Sequence, residues 1–230
     1  MSSYDQWIGT AAVVCTVMAA SISAAQTLEV TLGGKNLGTL TYSKTAKIEK
    51  LRSSLDNTPL GVFNGTFSAS ARSTVSSTGM TERKYQSISK SSRKTRKVAI
   101  FTSDGRVIET SVTPQTEMTK LSEPTRVPAG VVDPVGAIGR LMWARGCPKA
   151  LTIYDGRRAI ALTPNGSMTA DDQLICALKY NVVAGPGHLS PLYISKVKMQ
   201  IQYDLTNGKQ KLTQIKMGSG LFNLVLKRKN

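Results

Sequence analysis

The sequence contains few of the residues on which enzymes and metal sites are usually built. It has one histidine, His188, and three cysteines in 230 residues, and aromatic residues make up 6% of the chain. No Gly-x-Ser-x-Gly, His-Glu-x-x-His or Gly-x-x-x-x-Gly-Lys motif is present. A nucleophile-histidine-acid triad would depend on His188, which lies in a loop rich in glycine and proline. We therefore predict no enzyme activity, no metal site and no cofactor.

Acidic residues are scarce as well. The chain has 30 Lys and Arg against 14 Asp and Glu, which gives a formal net charge of +16. A charge of this size attracts polyanions over a long range. Nucleic acid is disfavoured, because no basic patch alternates with aromatic stacking residues. We expect an anionic lipid or an acidic envelope polysaccharide, and a solvated basic surface without a partner is the alternative.

Positive charge is missing altogether from the first 26 residues. An apolar run from Ile8 to Ile22 is followed by small residues up to Ala25, which predicts a signal peptide over residues 1–26 with cleavage near Ala25. The run is too short to anchor the chain in a bilayer. A buried N-terminal helix is the alternative, since signal peptides usually begin with a positive charge. This interpretation makes residues 27–230 a single periplasmic domain.

Cysteine is limited to one pair after the predicted cleavage. Cys15 falls within the signal peptide, and Cys147 and Cys176 are the thiols that follow it. Two thiols in an oxidising compartment predict a disulfide bond. Their spacing does not fit a Cys-x-x-Cys redox motif, and two cysteines with one distant histidine do not form a zinc site. We therefore expect the disulfide to be structural.

Long apolar runs are absent after residue 26. Short segments of alternating apolar and polar residues take their place, and this period of two is typical of antiparallel strands. The turn-forming pairs between these segments include Gly33-Gly34, Asp104-Gly105, Asp155-Gly156 and Asn207-Gly208. Short connections cannot contain parallel crossovers. We predict roughly ten strands in a curved, half-barrel-like meander.

Two segments interrupt the strand pattern. Residues 114–132 contain three prolines and predict an irregular connection. Asp133-Pro134 then supplies an N-cap and a first-turn proline, and Gly146 is placed to end a helix. Apolar residues recur on one side at Val135, Ile138 and Met142, and we expect Leu141 and Trp143 to widen this core face. One short helix near 134–145 therefore covers the sheet, and the fold class is α+β with strands dominant.

Five cations are candidate anion-binding residues. Arg157 and Arg158 follow the Asp155-Gly156 turn, and Arg93, Arg96 and Lys97 lie in the densest basic stretch. A guanidinium group can bind a carboxylate or phosphate through two parallel hydrogen bonds. The alternative for the turn is a purely structural role. About half of the basic stretch must point outward from a strand, so we predict one continuous positive face there, including Lys84, Lys90 and Lys94.

Several short motifs resemble a family of exported proteobacterial proteins catalogued as domain of unknown function 3108. They are Leu32-Gly33-Gly34 with Leu37-Gly38-Thr39-Leu40, Asp133-Pro134-Val135-Gly136-Ala137-Ile138, Cys147 before Tyr154-Asp155-Gly156-Arg157-Arg158, and Cys176 before Tyr180 and Ala184-Gly185. The resemblance covers most of residues 27–230 and implies a periplasmic β-rich fold with one disulfide. It supplies no catalytic residue, because the function of that family is unassigned.

Three hypotheses follow for the function. The first is a non-catalytic binding or scaffolding protein of the cell envelope, which holds an amphiphile or an anionic polymer. The second is an envelope-glycan hydrolase or transferase that uses carboxylates from separate strands. The third is a structural partner that docks on a membrane or a protein through a basic face. A deep apolar cavity favours a carrier, convergent carboxylates favour an enzyme, and a filled interior with a basic face favours docking.

Overall fold

The fold is an antiparallel sheet with one helix in the residues that the computed structural model describes, which are 24–56, 64–92, 94–188, 194–220 and 222–229. The helix is α1 (Pro134–Met142). The strands of these residues are β1 (Ala24–Leu32), β2 (Lys35–Lys44), β3 (Ile48–Leu55), β4 (Gly65–Val75), β5 (Thr81–Lys90), β6 (Thr95–Ser103), β7 (Arg106–Thr113), β8 (Leu151–Tyr154), β9 (Ala159–Ala170), β10 (Gln173–Ala184), β11 (Lys196–Asp204), β12 (Lys211–Ser219) and β13 (Phe222–Arg228). The mainly antiparallel architecture is confirmed, with 13 described strands instead of roughly ten.

The strand order is that of a meander with one long-range pairing. The sheet runs β7-β6-β5-β4-β3-β2-β1-β13-β12-β11-β10-β9-β8, so every two paired strands are consecutive in sequence except β1 and β13. That pairing is antiparallel and places Leu28 opposite Arg228. The edges of the sheet are β7 and β8. Two consecutive meanders, β1–β7 and β8–β13, are thereby joined into one sheet.

The sheet is strongly rolled. Helix α1 contacts β2, β3 and β4 and also contacts β8 and β12. In a flat sheet, β4 and β8 would lie about 43 Å apart at a strand spacing of about 4.8 Å, whereas a helix of this length spans only about 14 Å. The edges also meet, since the Thr110 Oγ1 of β7 lies 3.1 Å from the Tyr154 hydroxyl of β8. The helix therefore lies on the concave side of an open roll.

The connection from β7 to α1 covers the seam between the two edge strands. It contains three single-turn 3-10 helices, Gln115–Glu117, Lys120–Ser122 and Pro124–Arg126. The Ser122 hydroxyl donates to the Gly156 carbonyl at 2.8 Å. The Gly130 N–H donates to the Gly105 carbonyl at 2.8 Å. The segment thus links the β6–β7 turn to the β8–β9 turn across the seam.

Helix α1 begins where the sequence predicts and ends earlier. The Asp133 side chain accepts a hydrogen bond from the Gly136 N–H at 2.9 Å, as expected of an N-cap. The helix ends at Met142, before Gly146, because Trp143 leaves the helical conformation with φ −115° and ψ 24°. Leu141 is buried as predicted. Trp143 was expected in the core, but it is 48% exposed.

Buried side chains form a packed core on the concave side. Tyr42, Tyr154 and Tyr203 are almost fully buried together with the apolar face of α1. Their hydroxyl groups are hydrogen-bonded, since Tyr203 donates to the Leu141 carbonyl at 2.9 Å and Tyr154 donates to the Leu121 carbonyl at 2.8 Å. A buried tyrosine needs such a partner for its polar end. The interior is therefore a packed core.

The predicted disulfide between Cys147 and Cys176 is confirmed, with Cα atoms 5.6 Å apart. It joins the segment after α1 to β10. Most of the predicted signal peptide lies outside the described residues, and Ala24–Gln26 form the start of β1, so cleavage near Ala25 stays a prediction. No helix in the described part of the chain is long and apolar enough to cross a bilayer.

Candidate anion-binding surface

Two of the predicted anion-binding arginines already share a carboxylate. Arg157 Nη2 lies 3.0 Å from Glu117 Oε2, and Arg96 of β6 binds the same oxygen. Lys94 Nζ lies 2.6 Å from Glu117 Oε1. Partial burial opposes the ionisation of Glu117, but the hydrogen bonds from Lys94 and Arg96 and the charge of Arg157 outweigh it and lower its pKa to about 2. Glu117 therefore pairs with three cations that the sequence alone presents as free positive charge.

Arg158, the second candidate at the turn, points into the protein. It is 6% exposed. Its Nε lies 3.0 Å from Asp155 Oδ2 without the alignment of a hydrogen bond, and its Nη1 is buried with no hydrogen-bond partner among the described residues. The other oxygen of Asp155 accepts the backbone N–H groups of Arg157 and Arg158 at 3.0 and 2.9 Å. The Asp155 carboxylate thus holds the turn and its buried guanidinium group together.

His188 lies near this buried arginine and is itself partly buried. Its Nε2 is 2.5 Å from the Tyr180 hydroxyl. Burial, followed by the charge of Arg158, lowers the pKa of His188 to about 4. The imidazole is therefore neutral at pH 7 and adds no positive charge to the surface.

A further ion cluster, which sequence reasoning missed, joins α1 to the sheet. Arg83 of β5 places its Nη2 2.6 Å from Glu49 Oε2 and also binds the Asp133 carboxylate through Nε and Nη2. Glu49 accepts a hydrogen bond from the Tyr42 hydroxyl at 3.1 Å and pairs with Lys44 Nζ at 3.0 Å. Burial disfavours the charge of Glu49, but hydrogen bonds from Arg83 and Lys44 lower its pKa. The helix N-cap therefore also belongs to an ion cluster.

This cluster has the convergent carboxylates that the hydrolase hypothesis requires, but its geometry favours a structural role. Glycoside hydrolysis needs one carboxyl group that carries a proton, as the general acid. Glu49 and Asp133 both bind Arg83, and the lowered pKa of Glu49 keeps that group ionised at neutral pH. The arrangement holds α1 against the sheet.

The convex face of the sheet carries exposed cations that have no carboxylate partner among the described residues. Along β5, Tyr85 and Ser87 are buried, whereas Lys84 and Lys90 alternate with them and are exposed. The N-terminal basic patch consists of the outward cations of β3 to β6, which are Lys50, Arg52, Arg72, Lys84, Lys90 and Lys97. No carboxylate of the described residues lies within 4.0 Å of their charged nitrogens. These charges are therefore unpaired within the described parts of the molecule.

The membership of this patch differs from the predicted positive face. Lys97 belongs to it, and Lys84 faces Arg72 across the β4–β5 pair. Arg96 has the opposite orientation, because it follows the alternation of the buried Val98 and Ile100. Arg93 lies outside the described residues. The patch also extends over β3 and β4, which the prediction did not include.

A second group of unpaired cations lies on the outside of the other meander. The C-terminal basic patch consists of Lys179 of β10, Lys196 and Lys198 of β11, and Lys216 of β12, all of which are exposed. Lys179 lies directly opposite Lys198 in the strand register. Like charges in this position destabilise a sheet. A counter-charge bound from outside would offset that repulsion.

Comparisons with known proteins identify no family for the chain. No protein-family model matches it, and no curated protein is significantly similar. One solved structure to which the chain is similar is a beta-barrel-like protein of domain of unknown function DUF1849 from Brucella abortus, at 12% sequence identity and a TM-score of 0.46. The alignment covers 90% of this chain and 95% of that one. The resemblance to domain of unknown function 3108 stays a prediction.

Proposed function

We propose that this protein is a non-catalytic binding or scaffolding protein of the cell envelope, and that it holds an acidic polymer on its convex face. The observation that carries the proposal is the pair of basic patches whose cations have no acidic partner among the described residues, including Lys179 opposite Lys198. Elsewhere in the described residues, Arg83, Arg96 and Arg157 are paired with carboxylates. Both groups of unpaired cations therefore lie on the convex face.

The placement of the patches favours a flexible polymer over a flat membrane. The N-terminal basic patch occupies the second to fifth positions of the strand order, and the C-terminal basic patch occupies the ninth to eleventh positions. In a rolled sheet whose edges meet, these positions lie on opposite sides of the roll. A planar bilayer contacts one side at a time, whereas a chain can follow the surface to both patches.

A periplasmic location fits this proposal. We place the mature protein there after cleavage of residues 1–26, with an acidic envelope polysaccharide as its partner. Two features support this location: the apolar N-terminal run and the Cys147–Cys176 disulfide, which is typical of oxidising compartments. The packed core on the concave side supports binding on the outside of the sheet in preference to the carriage of an amphiphile inside it.

The test is binding to a defined acidic polysaccharide, polygalacturonate, by two charge-reversed variants. One variant carries Arg72→Glu, Lys84→Glu and Lys97→Glu, and the other carries Lys179→Glu, Lys198→Glu and Lys216→Glu. Each should bind at least about tenfold more weakly than the parent at low salt, because each loses several charge contacts. The matched control reverses three exposed cations outside both patches, Lys35, Lys120 and Lys149, and should bind much more nearly like the parent.

Two outcomes would overturn the proposal. If the control variant loses as much affinity as the patch variants, net charge alone drives the binding. If the parent binds anionic vesicles more tightly than polygalacturonate, and only one patch matters for the vesicles, the protein docks on membranes. Neutral dextran should not bind in either case.

A further inference from the structure

A cleft of about 740 Å³ opens on the concave side, between α1 and the inner face of the N-terminal meander. This volume is within the range of small-molecule binding sites, about 300–1,000 Å³. Its lining includes the Glu49–Arg83–Asp133 ion cluster, and Lys44, Arg140 and Trp143 also contribute to it. Three hydroxyl side chains line it as well: Ser73, Thr81 and Thr102. The cleft is thus separate from both basic patches.

Helix α1 turns a nearly bare side to this cleft. Its contributions to the lining are Gly136, Gly139 and Arg140, with Trp143 directly after the helix end. This spacing of three or four residues places them on one side. A Cβ atom on Gly139 would lie 2.5 Å from the Tyr42 hydroxyl oxygen, so the glycine lets the helix approach the sheet closely. Arg140 of α1 and Trp143, directly after the helix, are therefore the longer side chains available to a ligand on this side.

Some of the cations that line the cleft are paired with carboxylates, and others are not. Arg83 is neutralised by Glu49 and Asp133, which form one cluster with it. Arg140 is exposed and forms no ion pair within the described residues, and the Lys44 side chain is 51% exposed although it contacts Glu49. The cleft thus has a positive group that is available to a ligand, beside an indole ring that is 48% exposed.

These groups together match the chemistry of a sugar acid. The C–H face of a sugar ring packs on an aromatic ring, and its hydroxyl groups hydrogen-bond to carboxylates and hydroxyl side chains. An acidic substituent pairs with a guanidinium group in a bidentate manner. We propose that the cleft binds one uronic acid unit, with its ring on Trp143 and its carboxylate on Arg140. Glu49 and the cleft hydroxyl groups then bind the sugar hydroxyls.

This site would supply selectivity that the convex face lacks. The basic patches respond to charge density and do not distinguish one acidic polymer from another. The cleft distinguishes a carboxylate-bearing sugar from a neutral one and from a simple carboxylic acid. Its recognition of a single unit does not depend on either patch, so the two proposals can fail separately.

The test uses the fluorescence of Trp143. The chain contains two tryptophans, and Trp7→Phe leaves Trp143 as the only reporter. In the full chain with this substitution, galacturonate should give a saturable change in emission. Galactose, which lacks the carboxylate, and cyclohexanecarboxylate, which lacks the hydroxyls, should each bind at least about tenfold more weakly.

Variants locate the site within the cleft. Arg140→Met should weaken galacturonate binding at least about tenfold. Arg145→Met is the matched control, because Arg145 is also exposed but does not line the cleft, and it should bind like the parent. Trp143→Ala should abolish binding measured by calorimetry, with the thermal midpoint nearly unchanged because the ring is half exposed. Unchanged affinity in Arg140→Met, or equal binding of galactose and galacturonate, would overturn the proposal.

The failure of this proposal would differ from that of the polymer proposal. If galacturonate gives no saturable response while the patch variants still lose polygalacturonate binding, the cleft proposal alone is wrong. If galacturonate binds but the patch variants keep their full affinity for the polymer, the polymer proposal is wrong and the cleft proposal stands.

Discussion

The cations on the two faces of the rolled sheet differ in whether they lie against a carboxylate. On the concave face and along the seam, Arg83, Arg96 and Arg157 each lie against a carboxylate. On the convex face, the lysines and arginines of both basic patches have no such partner in the described residues. Arg83 and Lys84 are adjacent in β5 and show the contrast within a single dipeptide. The difference separates charges that hold the fold together from charges that are available to a ligand.

The largest expected change in the free energy of unfolding comes from substitution at this dipeptide, where Arg83 is paired and Lys84 is not. Arg83→Met removes the cation between Glu49 and Asp133 and leaves two partly buried carboxylates facing each other. We expect the free energy of unfolding to fall by about 3 kcal/mol, in line with the loss of one partner of a buried ion pair. Lys84→Met removes an exposed charge and should change it by less than about 0.5 kcal/mol. Urea unfolding at pH 7 measures both.

Acid gives an internal check on this prediction. Protonation of Glu49 removes its repulsion with Asp133 in Arg83→Met, so the deficit relative to the parent should shrink as acid protonates Glu49. A deficit that is the same at pH 4 and pH 7 would show that lost packing, and not unpaired charge, causes the destabilisation.

A smaller effect is expected at the seam, where Glu117 binds three cations. Its folded pKa of about 2 lies below its ordinary value of 4.5. The resulting stabilisation is therefore fully present above about pH 4.5 and is lost as the pH falls towards 2. Solvent screening limits it to about 1 kcal/mol.

Glu117→Gln tests this contribution directly. Its free energy of unfolding should be lower than that of the parent at pH 6, and the two values should converge near pH 2. Glu123→Gln is the matched control, because the Glu123 ion pair with Arg126 is exposed on both sides and should contribute much less. A constant difference between Glu117→Gln and the parent across this range would contradict the assignment.

The smallest expected change in the free energy of unfolding comes from the repulsion between Lys179 and Lys198 on the convex face. Lys198→Glu converts the repulsive pair with Lys179 into an attractive one, and should raise the free energy of unfolding by about 0.5 kcal/mol. The same change should weaken binding to polygalacturonate. Lys216→Glu is the control, since its cross-strand neighbours Gln200 and Val225 are uncharged, and it should weaken binding without stabilising the fold. Equal effects of both variants on stability would contradict the pairing argument.

Local chemistry made much of the fold predictable. Asp104-Gly105 predicted a hairpin turn, and both residues adopt the positive φ values, 45° and 73°, that such a turn requires. Asp133 before Pro134 predicted the helix start, and the two late cysteines predicted their disulfide. Each of these signals lies within a few residues or involves a small number of possible partners.

The rest depends on contacts that no local pattern specifies. Arg83 and Asp133 are 50 residues apart, and nothing near either residue indicates the other. The pairing of β1 with β13 likewise joins the two ends of the described chain. One error was avoidable, because the alternation of Arg96 with Val98 and Ile100 places this arginine on the buried face. Trp143 was misplaced because the sequence does not show that α1 ends before it.

The most direct test of the central claim is the salt dependence of polygalacturonate binding. The logarithm of the association constant should fall linearly with the logarithm of the salt concentration, with a slope that reflects the number of neutralised charges. The triple reversal in the N-terminal basic patch and that in the C-terminal basic patch should each flatten the slope, and their combination should flatten it further. A slope that is unchanged in both triple variants, while binding persists, would contradict the claim that the unpaired convex cations hold the polymer.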